Sequence, residues 1–173
     1  MKVKLAKRDI FLILGTTFAL FFVNNILLGA IVPRLPGGSA TGITSMLAVT
    51  WLSVKLKQFG VIPALYFLYG LIGLPSHLYA GDTSYFLAIL FLVIPAVIFD
   101  FFLNLKHYQP LHYLWAFPMF VILVKASMQF LSFPETGMWI WPDLKDFFMA
   151  LLLGYAGIGI GIILSGIGKK ELV

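Results

Sequence analysis

One lysine stands where a lysine is costly. Lys125 lies in the apolar run YLWAFPMFVILVKASMQFLSF, about 12 residues or roughly 18 Å from its start at the helical rise. An ionisable side chain at that depth in hydrocarbon costs about 3 kcal/mol even on permissive scales, so it marks either a function or a buried pair. Gln129 and Ser132 follow at i+4 and i+7, on the same helix face, and that face is expected to turn inward. Asn24 and Asn25 sit about 14 residues into the first apolar run, and adjacent residues diverge by about 100°, so at least one faces the interior. Ser39, Thr41, Thr44 and Ser45 open the second run, His77 and Tyr79 close the third, Arg34 lies in the first loop, and Trp139 and Trp141 lie in the last. The chemistry is that of a small-molecule pocket. An ammonium suits a carboxylate, phosphate or carbonyl, amides and hydroxyls supply hydrogen bonds, and indoles supply walls. The substrate-binding set is therefore Lys125, Gln129, Asn24, Asn25, Thr44, His77, Trp139, Trp141 and Arg34.

Each of these has an ordinary alternative. The tryptophans fit an interfacial aromatic belt, and the amides and hydroxyls fit interhelical hydrogen bonding. Lys125 fits a structural charge paired within a bundle, His77 an interfacial histidine, and Arg34 a basic loop residue. Asp143 and Asp146, after Pro142, read as N-terminal caps of the last helix, favoured by its dipole. Asp100, in IFDFFLNLKH, lies near the opposite end from Lys125, so a partner on a neighbouring helix end, or Lys106 and His107, fits it better; it reads as structural or coupling-related.

Catalysis has little support. Ser76 and His77 are chain neighbours and point in different directions on a helix, and no triad order is visible. His107 and His112 lack further ligands at metal spacing. No two carboxylates sit at depth, and the absence of cysteine excludes thiolate nucleophiles, thiolate metal sites and disulfides. The expectation is a protein that is not an enzyme and that needs no metal or cofactor.

The stretch YAGIGIGIILSGIGKK looks at first like a phosphate-binding loop. Its spacing is not G-x-G-x-x-G, no strand precedes it, no Walker lysine-serine pair follows, and it lies inside an apolar run. As a helix it lines up Ala150, Gly154, Gly157, Gly161, Ser165 and Gly168 at the helical period. Such a stripe lets another backbone approach closely. A weaker small-residue pair, Gly15-x-x-x-Ala19, lies on the first run. Gly15, Ala19, Gly154, Gly157, Gly161 and Ser165 are thus the expected helix-packing or partner-docking residues, with the seam's partner left open. Gly159 and Gly166 fall off the stripe.

The elements that must carry these residues follow from composition. The chain has 173 residues, of which 61% are hydrophobic and only 11% charged, and its mean hydropathy is +0.99. So little charge cannot cover a water-facing surface, so lipid is the expected solvent. Apolar runs between charge and Pro/Gly punctuation predict six spans at about 10–32, 38–54, 61–79, 85–105, 113–133 and 147–168, leaving no room for a second domain. The first apolar run is too long for a signal h-region and reads as a retained span. Lys2, Lys4, Lys7, Arg8, Lys55, Lys57, Lys106, Lys169 and Lys170 would share one side, against Arg34 and Lys145 on the other. That asymmetry makes both termini cytoplasmic in a multi-pass protein of the cytoplasmic membrane. The net charge of +5 marks these ends, with no alternation of basic and aromatic residues to suggest a nucleic-acid partner. The expected fold is an all-α membrane protein, a bundle of six transmembrane helices.

Six short spans in so few residues resemble the substrate-binding S-component of energy-coupling factor (ECF) vitamin transporters. The local likeness is best in LPGGSATGITSMLAVTWLSVKLKQFGVIPALYFLYGLIG, which resembles the loop–helix–basic turn–helix segment of the hydroxymethylpyrimidine/thiamine-type subunits. The closing GYAGIGIGIILSGIGKK is similar to their glycine-rich last helix with its lysine end. The resemblance implies capture of a vitamin or precursor in the outer half of the bundle. It also implies delivery by toppling against a transmembrane coupling subunit driven by two ATPases. The family docks through small residues of the first helix, for which Gly15 and Ala19 are the nearest match. The alternative is a small polytopic structural or accessory protein with no transported ligand, its polar residues packing helices.

Overall fold

In lipid a backbone has no outside hydrogen-bond partner, so each apolar run must close its bonds within itself as a helix. The computed structural model describes residues 6–28, 39–79, 85–136 and 144–166. They form α1 (Lys7–Phe22), carried on by a π turn (Val23–Leu27), α2 (Ser39–Leu56), α3 (Val61–Tyr79), α4 (Tyr85–Asn104), α5 (Pro110–Thr136) and α6 (Leu144–Ser165). Five of these helices, all but α2, are long and apolar enough to cross a membrane. The chain is thus a multi-pass helical membrane bundle. The six helices fall where the six expected spans lie, with ends displaced by up to about one turn. Pro110 opens α5, where its fixed φ and missing N–H suit a helix start, ahead of the expected boundary. The last four residues of the expected first span, together with Arg34, Trp139, Trp141 and Gly168, lie outside the described residues.

The arrangement follows from which faces are apolar and which are small. Large exposed side chains such as Phe11, Phe67, Phe86, Trp115 and Leu152 stud α1, α3, α4, α5 and α6, and none comes from α2. The short α2, rich in small and hydroxyl residues, is the enclosed helix: Val49, Thr50, Leu52, Ser53 and Val54 are all buried. It is also the element that the glycines of α6 pack against. A methyl at Gly157 would sit 3.1 Å from the Leu47 amide nitrogen and closer still to the Ile43 carbonyl oxygen; one at Gly161 would sit 2.9 Å from both the Leu47 carbonyl oxygen and the Thr50 Cβ. The two helices run parallel, since later glycines meet later residues of α2. The seam read from the sequence therefore closes within the chain. Gly166, off that stripe, has a φ of 78° and ends α6 in the left-handed conformation glycine adopts most readily. Gly159 faces open space, and no packing role follows for it.

The remaining helices join around this pair. α3 packs on α4, where Gly70 receives Ile89 and Gly73 receives the Tyr85 hydroxyl. α4 packs on α5 through Phe99, which meets Tyr113 edge-on at 6.3 Å and stacks with Phe120 at 4.8 Å. Several buried hydroxyls bond back to their own helix, as Thr17 does to the Ile13 carbonyl at 2.8 Å and Ser53 to the Val49 carbonyl at 2.6 Å. Ser53 also links helices, its Oγ lying 2.6 Å from the Tyr113 hydroxyl on α5.

Candidate functional site

Lys125 lines a cavity of about 150 Å³ between four helices. The helical period builds it. Phe117, Phe120, Val121, Val124 and Lys125 fall at i, i+3, i+4, i+7 and i+8 of α5, so one face carries the apolar wall and the ammonium-bearing side chain together. Gly42, Ser45 and Met46 supply the α2 wall, Tyr66 that of α3, and Ala150 and Gly154 that of α6. Gly42 has nothing within 4 Å of where a Cβ would stand, so its missing side chain is part of the open volume. Gly154 has the opposite role: the Phe117 ring occupies its Cβ space, which draws that ring down against α6. The rings brace one another, Tyr66 to Phe120 at 5.8 Å and Phe117 to Tyr155 at 5.2 Å, while the Tyr155 hydroxyl donates to the Leu114 carbonyl at 2.9 Å. Among the described residues Lys125 is the only charged one in the lining, and it makes no hydrogen bond or ion pair with another of them. An apolar, ring-walled space with one ammonium is suited to holding a small organic molecule in one orientation by charge.

Of the other sequence-predicted residues that the structure describes, Ser45 and Gly154 line this cavity, and Asn24, Asn25, Thr44, His77 and Gln129 do not. Asn24 is buried at the α1–α2 contact, where the Thr44 hydroxyl donates to its Oδ1. Asn25 is exposed, its Nδ2 donating to the Phe21 carbonyl and to the Tyr69 hydroxyl of α3, both at 3.1 Å. The π turn at Val23–Leu27 carries this adjacent pair, one amide engaging α2 and the other α3. The sequence offered no sign of that turn. His77 stacks flat on Tyr85 at 3.6 Å, joining the end of α3 to the start of α4. Gln129 is half-buried one turn beyond Lys125 on α5. The structure thus brings Lys125, Ser45 and Gly154 to the cavity and places Asn24, Asn25, Thr44 and His77 at helix–helix contacts. On α1, Gly15 and Ala19 are exposed, and Gly15 faces open space; Ser165 bonds its own Ile162 carbonyl at 2.6 Å.

Sequence reasoning missed most of the lining. Phe117, Val121 and Val124 were legible by counting the helical period back from Lys125. Gly42 and Tyr66 carry no such signal, because only the packing of α2 and α3 brings them to α5.

Asp100 organises the opposite end. It is fully buried, and its carboxylate accepts from the Gly60 N–H at 2.6 Å and from the Tyr108 hydroxyl at 2.8 Å, with the Ile62 N–H adding a further bond. Of the two expected kinds of partner, a neighbouring helix end is the one found, and Lys106 and His107 are not among the partners. Asp100 caps the N-terminus of α3, whose free N–H groups and dipole favour an anion. Lys57 (φ 47°) and Gly60 (φ 96°) shape one turn there, and His107 (φ 52°) and Tyr108 (φ 58°) shape the other. Burial, with the neighbouring carboxylate adding, pushes the Tyr108 phenol well above its ordinary pKa, so it remains a donor. The carboxylate therefore ties two turns to α3 and α4 at the end away from the cavity.

No family model, curated protein or solved structure matches the chain.

Proposed function

We propose that this chain is the membrane-embedded substrate-binding subunit of an ECF-type importer, with both termini in the cytoplasm. The observation that supports it is the apolar, ring-walled cavity holding Lys125, whose ammonium is unpaired among the described residues. A lysine placed to pack helices would be expected to meet a carboxylate or carbonyl, since leaving it unpaired in a low-dielectric interior is unfavourable. One awaiting a ligand would not. In this reading the subunit takes a vitamin-sized molecule from outside and carries no nucleotide site of its own. Energy then comes from partners, a transmembrane coupling subunit and ATPases. The exposed Gly15–Ala19 face of α1 is the docking candidate, because the glycines of α6 are already used within the chain.

Gentle purification of the tagged chain followed by native mass spectrometry tests the proposal. A co-purifying small molecule, together with a coupling subunit and ATPases, is the expected result. Gly15→Leu should reduce recovery of those partners while leaving the small molecule bound. A stable, ligand-free assembly with some other membrane protein would favour an accessory role instead.

A further inference from the structure

The cavity also specifies a ligand class, and this inference rests on the binding role just proposed. The space is a half-open cleft, and its volume of about 150 Å³ is that of a cavity which admits a single benzene ring. It falls below the roughly 300 Å³ at which pockets for larger ligands begin. Phe117, Phe120 and Tyr66 present rings to that space, and Met46, Val121 and Val124 complete an apolar wall. Lys125 is the one charged residue in this wall, and among the described residues no carboxylate lines it. A cationic ligand would meet like charge, and a neutral one would leave Lys125 uncompensated. An anion resolves both through a charge-assisted bond to the half-buried Lys125, which is stronger than a bond between neutral groups.

We infer that the cavity binds a small monocarboxylate built on one ring, the ring between the aromatic walls and the carboxylate on the Lys125 Nζ. The charge has a consequence for the resemblance described above: a thiazolium-bearing ligand is a poor match for this lining.

Three probes of one shape and different charge test the inference: benzoate, benzamide and benzylammonium. Each is titrated by calorimetry into the purified full-length chain in lipid nanodiscs, up to millimolar concentration. Benzoate should bind tightest, about ten- to a hundredfold better than benzamide, and benzylammonium worst. Lys125→Met keeps the stem without the charge and should erase the benzoate preference, so that benzoate binds no tighter than benzamide. Gly42→Leu, at a position with free space around it, should weaken all three without unfolding the protein. Benzamide or benzylammonium binding as well as benzoate would overturn the inference. So would a benzoate preference that survives in Lys125→Met, or folded protein that binds none of the probes. The two readings fail separately. Lys125-dependent benzoate binding without a coupling subunit removes the importer and keeps the ligand class. A neutral or cationic molecule carried by an intact importer complex does the reverse.

Discussion

Adding one methyl group to α6 should separate it from α2. In Gly157→Ala the new Cβ would stand 3.1 Å from the Leu47 nitrogen and closer to the Ile43 carbonyl oxygen, where ordinary contact begins at 3.4 Å. Both obstacles are backbone, so no side chain can swing aside. The helices must part by several tenths of an ångström to about 1 Å, and a gap of that size forfeits a quarter to a half of each dispersion well along the seam. In lipid those contacts are the main source of helix association, because tails are as apolar as side chains. Overpacking of this kind costs about 1–3 kcal/mol, and the unyielding backbone places Gly157→Ala near the upper end. Gly159→Ala is the internal control. It lies on the same helix with nothing within 4 Å of its Cβ, and should gain about 0.5–1 kcal/mol from helix propensity alone. The two variants should differ by about 3 kcal/mol in reversible unfolding by dodecyl sulfate in mixed micelles. Equal stability of the two, or a more stable Gly157→Ala, would refute the backbone contact as the reason for the glycine stripe.

The Asp100 cap should be costly to remove. Asp100→Ala leaves the Gly60 N–H and the Tyr108 hydroxyl without their acceptor and should lose about 3 kcal/mol or more in the same unfolding assay, while Tyr108→Phe should lose about 1–2 kcal/mol. Tyr113→Phe removes the bond to Ser53 and should cost about 1 kcal/mol; a larger loss would point to a wider network at that contact. Orientation is open to direct labelling because the chain has no cysteine. With an impermeant maleimide on intact cells, Lys106→Cys should stay unlabelled and Lys145→Cys should react; the reverse pattern would overturn cytoplasmic termini. Thr44→Val should loosen the α1–α2 contact by about 1 kcal/mol, without altering benzoate affinity as Lys125→Met does.

Much of the architecture was legible because lipid leaves a chain few choices. Runs long enough to span must be helices, and their punctuation by charge, proline and glycine locates the turns. The six spans follow from this, as does the unusual standing of α2, short and rich in hydroxyls. The glycine stripe of α6 was equally legible, since a helical period in small residues has one packing meaning. Its partner was not, because several helices in the bundle were equally available to it. The site divides the same way. Lys125 stands out by cost, a property of one residue in one solvent. Asn24, Asn25, Thr44 and His77 looked alike because polarity in an apolar run is shared by ligand contacts and interhelical bonds. Asp100 is in between: a partner on a neighbouring helix end was one of the two expected, and the α3 N-terminus supplies it, while Tyr108 takes the place of Lys106 and His107.

What the sequence alone determined is therefore whatever depends on each residue's affinity for hydrocarbon: the helices, their number and the anomaly at position 125. What only the tertiary structure decided is which surfaces meet. It set α6 against α2, opened a space at Gly42, and closed that space with Tyr66 from a helix whose own pattern gives no hint of it. The physical reason is that partitioning acts residue by residue. Packing in a medium as apolar as the side chains depends on the joint shape of helices distant in the chain.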